Sequence, residues 1–281
     1  VGGSGFDLDI TGFKSPKILL IEDDDKMLIG GENMQYNIGG IPGIDILRLK
    51  QDGSFFSALS LSTTGLIKEL KKDLNNKILV GGLFTTTVFV SDRVAICRLN
   101  SDAVSLDTSF NANIIELLAG STTVKSSVSS IVSLEDGKLL IAGHFNIGGV
   151  NYLMARLNNN GSLDSTFLHK FASGVSGSPS YSGRVLLDSQ NRIIMHGADS
   201  TDGSLVRYSY DGERDTTFSY YGTGYVFSVV EDIGKGYIIS GSSVLGYDGY
   251  NINTIIPIEY SGNLQQDWIN KYNQITPIPT N

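Results

Sequence analysis

The chain has 281 residues, with 29 acidic and 21 basic side chains and a formal net charge of −8. An acidic chain without clustered lysine and arginine would repel a phosphate backbone, so we expect no nucleic acid partner. The single cysteine excludes a disulfide framework and a thiolate-rich metal site. No stretch reaches the roughly 20 apolar residues that span a bilayer, and we therefore expect no membrane insertion.

The N-terminal segment lacks the basic and apolar regions of a signal peptide. Either a leader has been removed or the protein does not use that route. Residues 7–13 resemble the end of the repeat described below, without the unit that should precede it. This orphan segment is expected to close a ring of repeats against the last unit, or to belong to a partial sixth unit.

Five segments share one pattern: an apolar run, a short polar turn, one basic residue, a second apolar run and then glycine. Asn, Asp and Gly in the turns tolerate the positive φ of tight hairpins, and the flanks suit a buried sheet. We therefore predict a β-hairpin in each segment, with the basic residue at a solvated strand end. The glycine is expected to mark a bend or a close backbone approach. The basic residues are Lys26, Lys77, Lys138, Arg192 and Lys235.

A second hairpin follows in each unit, and in four units it begins at an arginine. The fifth copy, residues 258–262, keeps the turn but lacks the arginine. Three copies continue into an ending with an aspartate followed three residues later by phenylalanine. Because a guanidinium group suits a carboxylate, we expect a structural pair within each of these units. The pairs are Arg98 with Asp107, Arg156 with Asp164, and Arg207 with Asp215. The first and fifth units lack one or both partners and should be looser.

Four predicted strands per unit of roughly 50 residues, with no helical period between them, are typical of a β-propeller blade. We predict an all-β fold, a β-propeller of four-stranded antiparallel blades, with five blades and six as the alternative. A β-sandwich would not explain the repetition. The predicted propeller is a single domain over residues 1–273, followed by a C-terminal tail at 274–281. Its units span 14–59, 60–113, 124–170, 181–220 and 224–270.

Residues 60–170 resemble the delta-sixty repeat family of bacterial and phage β-propellers. The resemblance rests on the strings at 77–84 and 138–145, the turns at 98–100 and 155–158, and the endings at 106–110 and 161–167. It implies a propeller within a large surface or virion protein. The family offers no catalytic residues to carry over to this chain.

Few residues carry chemistry in a recognisable pattern. The three histidines, at positions 144, 169 and 196, show no metal-binding spacing and are expected to be ordinary surface or partly buried side chains. Cys97 lies on an apolar strand and is predicted to be a small buried thiol. Asp23, Asp24 and Asp25 lie in a hairpin turn, which favours a solvated turn over a calcium site. We expect no cofactor, no metal and no enzymatic activity.

Tyrosine is abundant after residue 180, and several tyrosines stand beside glycine. Tyrosine in loops gives a large contact area at low entropic cost and suits protein or sugar surfaces. The alternative is that these tyrosines alternate along strands and pack between blades. The candidate ligand-binding residues are Tyr220, Tyr221, Tyr225, Tyr247 and Tyr250.

The sequence favours a non-enzymatic structural or interaction module, a component of a phage virion appendage such as a tail or head fibre. Its expected partners are other structural proteins of the assembly, and copies of the chain acting together would add avidity. The alternative is a bacterial-surface adhesin that binds host-surface glycans. A hydrolase or lyase would need clustered carboxylates and histidines on inner strands, which the alternating apolar patterns do not show. Either of the first two functions places the chain on a virion or outside the cell.

Overall fold

The structure, a computed structural model, is almost entirely β-sheet where it describes the chain. It describes residues 10–11, 16–36, 41–61, 65–86, 93–115, 117–119, 122–124, 126–168, 183–197, 204–220, 222, 225–242, 245–247, 250–251, 255–265, 267 and 276–277. Every strand pairing in this part is antiparallel.

The strands follow the predicted order of hairpins. The first eleven are β1 (Ile10–Thr11), β2 (Pro16–Ile21), β3 (Met27–Tyr36), β4 (Ile41–Leu49), β5 (Phe55–Leu59), β6 (Leu66–Lys72), β7 (Ile78–Thr86), β8 (Arg93–Leu99), β9 (Ile114–Ile115), β10 (Leu117–Ala119) and β11 (Thr122–Val124). The rest are β12 (Ser127–Ser133), β13 (Leu139–Ile147), β14 (Val150–Leu157), β15 (Arg184–Leu187), β16 (Ile193–His196), β17 (Leu205–Tyr208), β18 (Tyr225–Asp232), β19 (Gly236–Ser242), β20 (Leu245–Tyr247), β21 (Tyr250–Asn251), β22 (Ile255–Glu259) and β23 (Thr276–Pro277).

Five main sheets correspond to the five predicted units. In chain order they are β2–β3–β4–β5 with β1, β6–β7–β8, β12–β13–β14 with β9, β15–β16–β17, and β18–β19–β22. We call them the first to fifth sheets. Two small sheets, β10–β11 and β20–β21–β23, are additions to the repeat. The repeated antiparallel sheets confirm the predicted all-β propeller, whereas the number of blades stays a prediction.

The fourth strand of the predicted blade is complete in the first sheet, where β5 pairs with β4. In the other four units it is reduced to single bridges: Leu99 with Leu106, Leu157 with Leu163, Tyr208 with Arg214, and Ile258 with Leu264. The reason is visible in the second unit, where Asp107 Oδ1 accepts hydrogen bonds from the backbone N–H and hydroxyl of Ser109. This turn directs the chain away before a ladder can extend.

The predicted roles of turn residues and of the recurring glycine are confirmed. The first hairpin turns place Asp25, Asn76, Gly137 and Asn191 at positive φ. A β-bulge interrupts the first strand opposite the glycine. A Cβ added at Gly143 or Gly241 would lie 2.1 or 2.0 Å from a backbone carbonyl oxygen of that strand. Only glycine permits this approach.

Both chain ends contribute short strands. Ile10 and Thr11, the described part of the orphan segment, pair with Tyr36 and Gln35 at the end of β3. Strand β9 joins the end of β13 in the same way, so a short strand at this place is part of the repeat. Within the predicted tail, β23 pairs with β21.

The chain divides into two compact units, with the main boundary between Asp164 and Ser165. In the first of these two compact units, one apolar core lies between the first and second sheets and another lies between the second and third sheets. In the second compact unit, an apolar core lies between the fourth and fifth sheets. The single domain expected over residues 1–273 stays a prediction. No helix in the described ranges is long and apolar enough to cross a membrane.

Candidate interaction surface

The predicted arginine–aspartate pairs are present in three units. The Nε atoms of Arg98, Arg156 and Arg207 lie 2.7, 2.8 and 2.8 Å from Oδ2 of Asp107, Asp164 and Asp215. Burial acts to raise the pKa of Asp107, but hydrogen bonds from Ser109, Lys77 and Arg98 outweigh it and hold that pKa far below its ordinary value. The carboxylate is therefore charged and fully engaged in the folded chain.

Two of the repeat lysines also bind the aspartates of these pairs. Lys77 Nζ lies 2.9 Å from Asp107 Oδ2, and Lys138 Nζ lies 3.0 Å from Asp164 Oδ2. The hydrogen bond to Asp164 raises the pKa of Lys138. Both lysine side chains stay about a third exposed and bind the aspartate as well, because the turn after the bridge brings that carboxylate back beside the first hairpin.

In the first repeat unit, the arginine pairs with a different carboxylate. Arg48 has no aspartate at the repeat position, and its Nε and Nη2 atoms bind Glu22 at 2.6 and 2.7 Å. Glu22 lies in the first hairpin turn, at the position of Asp73 and Asp188. The sequence pattern did not predict this pair, because its two members are 26 residues apart.

The arginines also connect consecutive sheets. Arg48 Nη1 donates to the carbonyl of Asp102 at 3.0 Å, and Arg98 Nη1 donates to the carbonyl of Asn159 at 2.9 Å. Arg207 donates in the same way to the carbonyl of Tyr260. Each acceptor lies in the second hairpin turn of the following sheet. One side chain thus holds its own unit together and binds the next.

A backbone hydrogen bond reinforces this connection. The residue after the motif phenylalanine donates its N–H to the same turn of the next sheet: Asn111 to Asn160, Leu168 to Asp211, and Ser219 to Ser261, at 2.8, 2.8 and 3.0 Å. The turn glycines Gly161 and Gly262 have positive φ, and a Cβ there would collide with Asn111 or Ser219. Glycine is therefore needed both for the turn and for the junction between sheets.

The fifth sheet departs from this pattern. Pro257 pairs with Ile238 as Arg98 pairs with Leu79 in the second sheet. Gln265 donates its N–H to the carbonyl of Pro257, as Asp107 does to that of Arg98. Both members of the ion pair are thus replaced by uncharged residues.

The fifth sheet also exposes a face that the other sheets bury. At the two positions of Ile238 and Ile255, the first four sheets have Leu28 and Ile46, Leu79 and Ile96, Leu140 and Met154, and Ile194 and Leu205, all of them buried. In the fifth sheet, Ile238 is 40% and Ile255 is 58% exposed.

Three neighbours on β18 enlarge this apolar surface. Val230, paired with Ile238, is 60% exposed, and Tyr225, on the same face of the sheet, is 48% exposed. Phe227 lies in the bulge of this strand and is 62% exposed. We call the surface formed by Tyr225, Phe227, Val230, Ile238 and Ile255 the open face.

Of the other candidate tyrosines, one packs against the core, two lie in a small sheet and one lies outside the described residues. Tyr220 packs against the core of the fourth and fifth sheets, and burial raises its pKa to about 12. This ring is therefore partly buried against the core. Tyr247 and Tyr250 pair with each other in β20 and β21. Tyr221 lies outside the described residues. A binding role for these four stays a prediction.

Two other tyrosines form a structural network that the sequence did not indicate. Tyr237 donates to Asp188 Oδ2 at 2.6 Å, and Arg192 Nε binds the same oxygen at 2.7 Å. The Arg192 guanidinium lies 4.7 Å from the centre of the Tyr260 ring. Tyr260 in turn donates to Glu231 at 2.7 Å. These contacts lock the fourth sheet to the fifth, and strand tyrosine therefore serves packing here, as the alternative interpretation held.

A surface pocket of about 460 Å³ adjoins this network. Charged and polar groups predominate around it, together with one aromatic ring. It is lined by Lys235, Glu259, Tyr260, Ser261, Gln265 and Asp267. Such a set could donate to and accept from a polyhydroxylated ligand.

The cysteine and the two described histidines are buried within the fold. Cys97 is buried, as predicted. His196 is buried with Nδ1 3.3 Å from the Val226 carbonyl, and burial lowers its pKa to about 4. His144 is buried too, and its pKa is lowered by that burial. His169 lies outside the described residues. Within the described ranges, no group of three or more His, Cys, Asp and Glu side chains could hold a metal ion.

The predicted solvated turn at Asp23, Asp24 and Asp25 has ordinary polar partners. Lys72 binds Asp23 at 2.5 Å, Lys26 binds Asp24, and the Gln51 amide donates to Asp25 at 3.2 Å. The three carboxylates therefore bind three different donors rather than converging on one point.

Three segments of the chain, residues 22–55, 75–110 and 134–167, match a family described as "Domain of unknown function (DUF5122) beta-propeller". These three segments are similar to the repeats of that β-propeller family. Each matched segment runs from the first hairpin turn into or through the second hairpin, and the second and third matches include the arginine–aspartate pair. The open face lies outside all three propeller matches. No curated protein sequence matches the chain significantly.

Solved structures resemble this propeller only distantly. A protein of unknown function from Bacteroides caccae is 10% identical, with a TM-score of 0.45, over 89% of this chain and 92% of the other. The extracellular domain of BT3049 from B. thetaiotaomicron is 15% identical, with a TM-score of 0.43, over 82% of this chain. The match covers 32% of that domain, so the chain spans about a third of its length. An endo-arabinase from B. thetaiotaomicron is 13% identical, with a TM-score of 0.36, over 69% and 75%. Similarity this distant carries no information on ligands or partners.

Proposed function

We propose that this propeller is a non-enzymatic interaction module that docks onto a partner protein through the open face. The observation that carries the proposal is the exposure of Ile238 and Ile255 at positions that the other four sheets bury. A group of large exposed apolar side chains on one sheet face is typical of a protein interaction site. At the arginine position of that face, the fifth sheet has the uncharged Pro257.

The setting we propose is a phage virion appendage, such as a tail or head fibre, where the partners are other structural proteins. Support comes from the delta-sixty resemblance of residues 60–170, which implies a propeller in a large virion or surface protein. The hydrogen bonds that Arg48, Arg98 and Arg207 donate to the next sheet also suit such a role, because they hold consecutive sheets together within each compact unit.

Immunogold electron microscopy tests this setting. Antibodies against the chain, applied to particles and cells of the producing culture, should label particle appendages. Ile238→Lys should abolish incorporation, whereas Val150→Lys, at an equally exposed apolar residue of the third sheet, should not. Label confined to cell interiors, or equal incorporation of both variants, would contradict the proposal.

The pocket beside Tyr260 favours a second candidate, a carbohydrate-binding adhesin of a bacterial surface. Its lining offers an ammonium group, two carboxylates, an amide and a hydroxyl around an aromatic ring, which suits a sugar. A glycan array with the purified chain tests this function. Retention of a glycan that Gln265→Ala weakens and Ile238→Lys leaves unchanged would favour the adhesin. Absence of retention would leave the protein-docking function as the proposal.

A further inference from the structure

The fifth sheet lacks a cation that each of the other four sheets carries. In those four sheets, a lysine or arginine lies directly before the ladder between the second and third strands. Each of these side chains binds a carboxylate. The pairs are Lys26 with Asp24, Lys77 with Asp107, Lys138 with Asp164, and Arg192 with Asp188. A cation at this place is therefore part of the repeat.

Gly236 takes the position of this cation in the fifth sheet. Tyr237 lies at the ladder position of Ile78, and the residues before them are Gly236 and Lys77. Gly236 has φ of 146°, and a Cβ there would lie 2.0 Å from the carbonyl oxygen of Ile258. The backbone of the fifth sheet thus leaves no room for a side chain at this position.

The repeat pattern aligns Lys235 with the four cations, but the turn places it one residue earlier. Its N–H donates to the carbonyl of Asp232, as the N–H of Asn76 donates to that of Asp73. Its ammonium group binds Asp232 within the same turn, at 3.3 Å. Lys235 therefore does not take the place of the missing cation.

The pocket of about 460 Å³ lies where the missing side chain would run. Glu259, which lines it, pairs with Gly236 across the ladder. Gln265, also in the lining, takes the position of Asp107 directly after the single bridge. In the second sheet the Lys77 side chain extends to Asp107. The fifth sheet thus has a pocket along the path that the lysine takes elsewhere.

The lining offers acceptors that suit a positive charge. The carboxylate of Glu259 accepts a hydrogen bond from the Ser261 hydroxyl at 3.5 Å. Gln265 donates its amide nitrogen to the carbonyl of Ile258 at 3.3 Å, which leaves its amide oxygen to accept. Among the described residues, neither Glu259 nor Asp267 has a cationic partner. A ligand with a positive charge and N–H donors complements these groups.

We propose that this pocket binds a primary ammonium group in the place of the missing lysine. Resting on the carbohydrate-binding candidate above, the ligand is a glycan that contains an unacetylated amino sugar. The Ser261 hydroxyl and the Lys235 ammonium group would donate to its oxygen atoms, and the Tyr260 ring forms a wall. The Tyr260 hydroxyl donates to Glu231 at 2.7 Å, which holds that ring in place. The volume lies within the roughly 300–1,000 Å³ of small-ligand sites.

Access to this position does not require a sheet without a neighbour. In the second sheet, which packs against the third, the Lys77 side chain at the equivalent position is still 30% exposed. All the lining residues belong to the fifth sheet and to the second compact unit. The pocket is therefore defined within one sheet, at a place that stays accessible when another sheet covers the apolar face.

Isothermal titration calorimetry with two matched sugars tests the inference. The full chain is titrated, in mildly acidic buffer that keeps the amines protonated, with a glucosamine tetramer and with its fully N-acetylated counterpart. We expect the glucosamine tetramer to bind at least about tenfold more tightly, because acetylation removes the charge. Equal affinity, or tighter binding of the acetylated tetramer, overturns the inference.

Substitutions in the lining locate the ammonium group. Glu259→Gln and Asp267→Asn should each weaken binding of the glucosamine tetramer about threefold, the effect of a solvent-exposed ion pair. Gln265→Asp should strengthen it by a similar factor, since it restores the carboxylate of the Asp107 position, and a misfolded variant cannot give such a gain. Glu213→Gln, in the equivalent turn of the fourth sheet, removes a charge outside the pocket and should have no effect. Equal weakening by this control would show unspecific charge attraction and contradict the proposal.

A lysine derivative distinguishes two sources of the amine. Nα-acetyl-lysine amide carries the ammonium group without the sugar and should bind at least about tenfold more weakly than the glucosamine tetramer. Equal affinity would show a pocket for a lysine side chain and overturn the amino-sugar assignment.

The outcomes separate this inference from the proposed functions. If both tetramers bind equally and Gln265→Ala weakens both, carbohydrate binding stands and the preference for an amine is wrong. If neither tetramer binds but the array retains another glycan, carbohydrate binding again stands without this inference. If no sugar binds in either experiment, both fail. Docking through the open face is independent of these results, because none of its five residues lines the pocket.

Discussion

The second and fifth sheets have the same β-ladder but different surroundings. In both, a bulge interrupts the first strand, and an apolar residue of the second strand lies opposite the arginine position of the third. The second sheet has Arg98 there, bound to Asp107 and to the turn of the third sheet. The fifth has Pro257, with Gln265 at the aspartate position.

This difference shows what the arginine–aspartate motif does. An arginine with a carboxylate partner, Glu22 in the first sheet and an aspartate in the next three, occurs in the sheets whose apolar face is buried, and both members are absent where that face stays exposed. The motif therefore belongs to the junction between sheets rather than to the blade itself. A sheet without it keeps its strands but presents an apolar surface to other molecules, which is the basis of the proposed docking role.

The largest effect is expected from removing the carboxylate of a junction. Asp107→Ala leaves Arg98 and Lys77 near one another in a buried site without their shared counter-charge. We expect the free energy of unfolding to fall by about 4 kcal/mol. Urea denaturation of the purified variant measures this loss.

Asp215→Ala is the matched control for that variant. Among the described residues, Asp215 binds Arg207 but no lysine, and its side chain is more exposed than that of Asp107. We expect a smaller loss, of about 2 kcal/mol. Equal losses in both variants would show that the lysine and the deeper burial contribute nothing.

Truncating an apolar side chain at the equivalent position of each sheet should show a second difference in stability between the second and fifth sheets. Leu79→Ala opens a cavity between the second and third sheets and should cost about 3 kcal/mol of unfolding free energy. Ile238→Ala, at the equivalent exposed position, should cost less than about 1 kcal/mol. Comparable losses would mean that the open face is covered in solution within a single chain. The second and fifth sheets would then not differ in the burial of this face.

The sequence was sufficient for the repeat, its hairpins and the pairs of Arg98, Arg156 and Arg207, because all of these depend on local spacing. Turn chemistry and bidentate pairing act between residues close in the chain. The length of the fourth strand does not follow from local spacing: in the units with Asp107, Asp164 and Asp215 a turn at the aspartate follows the single bridge.

The candidate surface could be predicted only in part. Tyr225 was among the candidates, but the exposure of Val230 and Ile238 depends on which sheet faces have a neighbour, and the alternating pattern is the same in covered sheets. The Tyr237–Asp188 contact joins residues 49 apart. No local pattern indicates such a pairing.

The junction between the fourth and fifth sheets should respond to pH. His196 is neutral in the folded chain because burial lowers its pKa to about 4, against about 6.5 when unfolded. Above pH 6.5 its contribution to stability is complete. As pH falls from 6.5 towards 4, only the unfolded chain takes up the proton, and stability declines by about 1.4 kcal/mol per pH unit.

Between pH 7 and pH 5 we expect His196 to account for a loss of about 2 kcal/mol. His144, whose pKa burial also lowers, should add a loss of the same sign. Urea denaturation across this range should show a shallower pH slope for His196→Gln than for the wild type. An unchanged slope would indicate that His196 is protonated in the folded chain or solvated within this junction.

The smallest effect is expected from restoring the motif where no sheet covers it. The double variant Pro257→Arg with Gln265→Asp recreates in the fifth sheet the pair that Arg98 and Asp107 form in the second. A solvated ion pair contributes little, because water screens the charges and the side chains lose rotamer entropy. We therefore expect a change in unfolding free energy within about 1 kcal/mol, measured by urea denaturation at low protein concentration. A gain as large as the loss in Asp107→Ala would show that the pair stabilises a single sheet on its own. A near-zero change would support the view that its energy depends on burial by the next sheet.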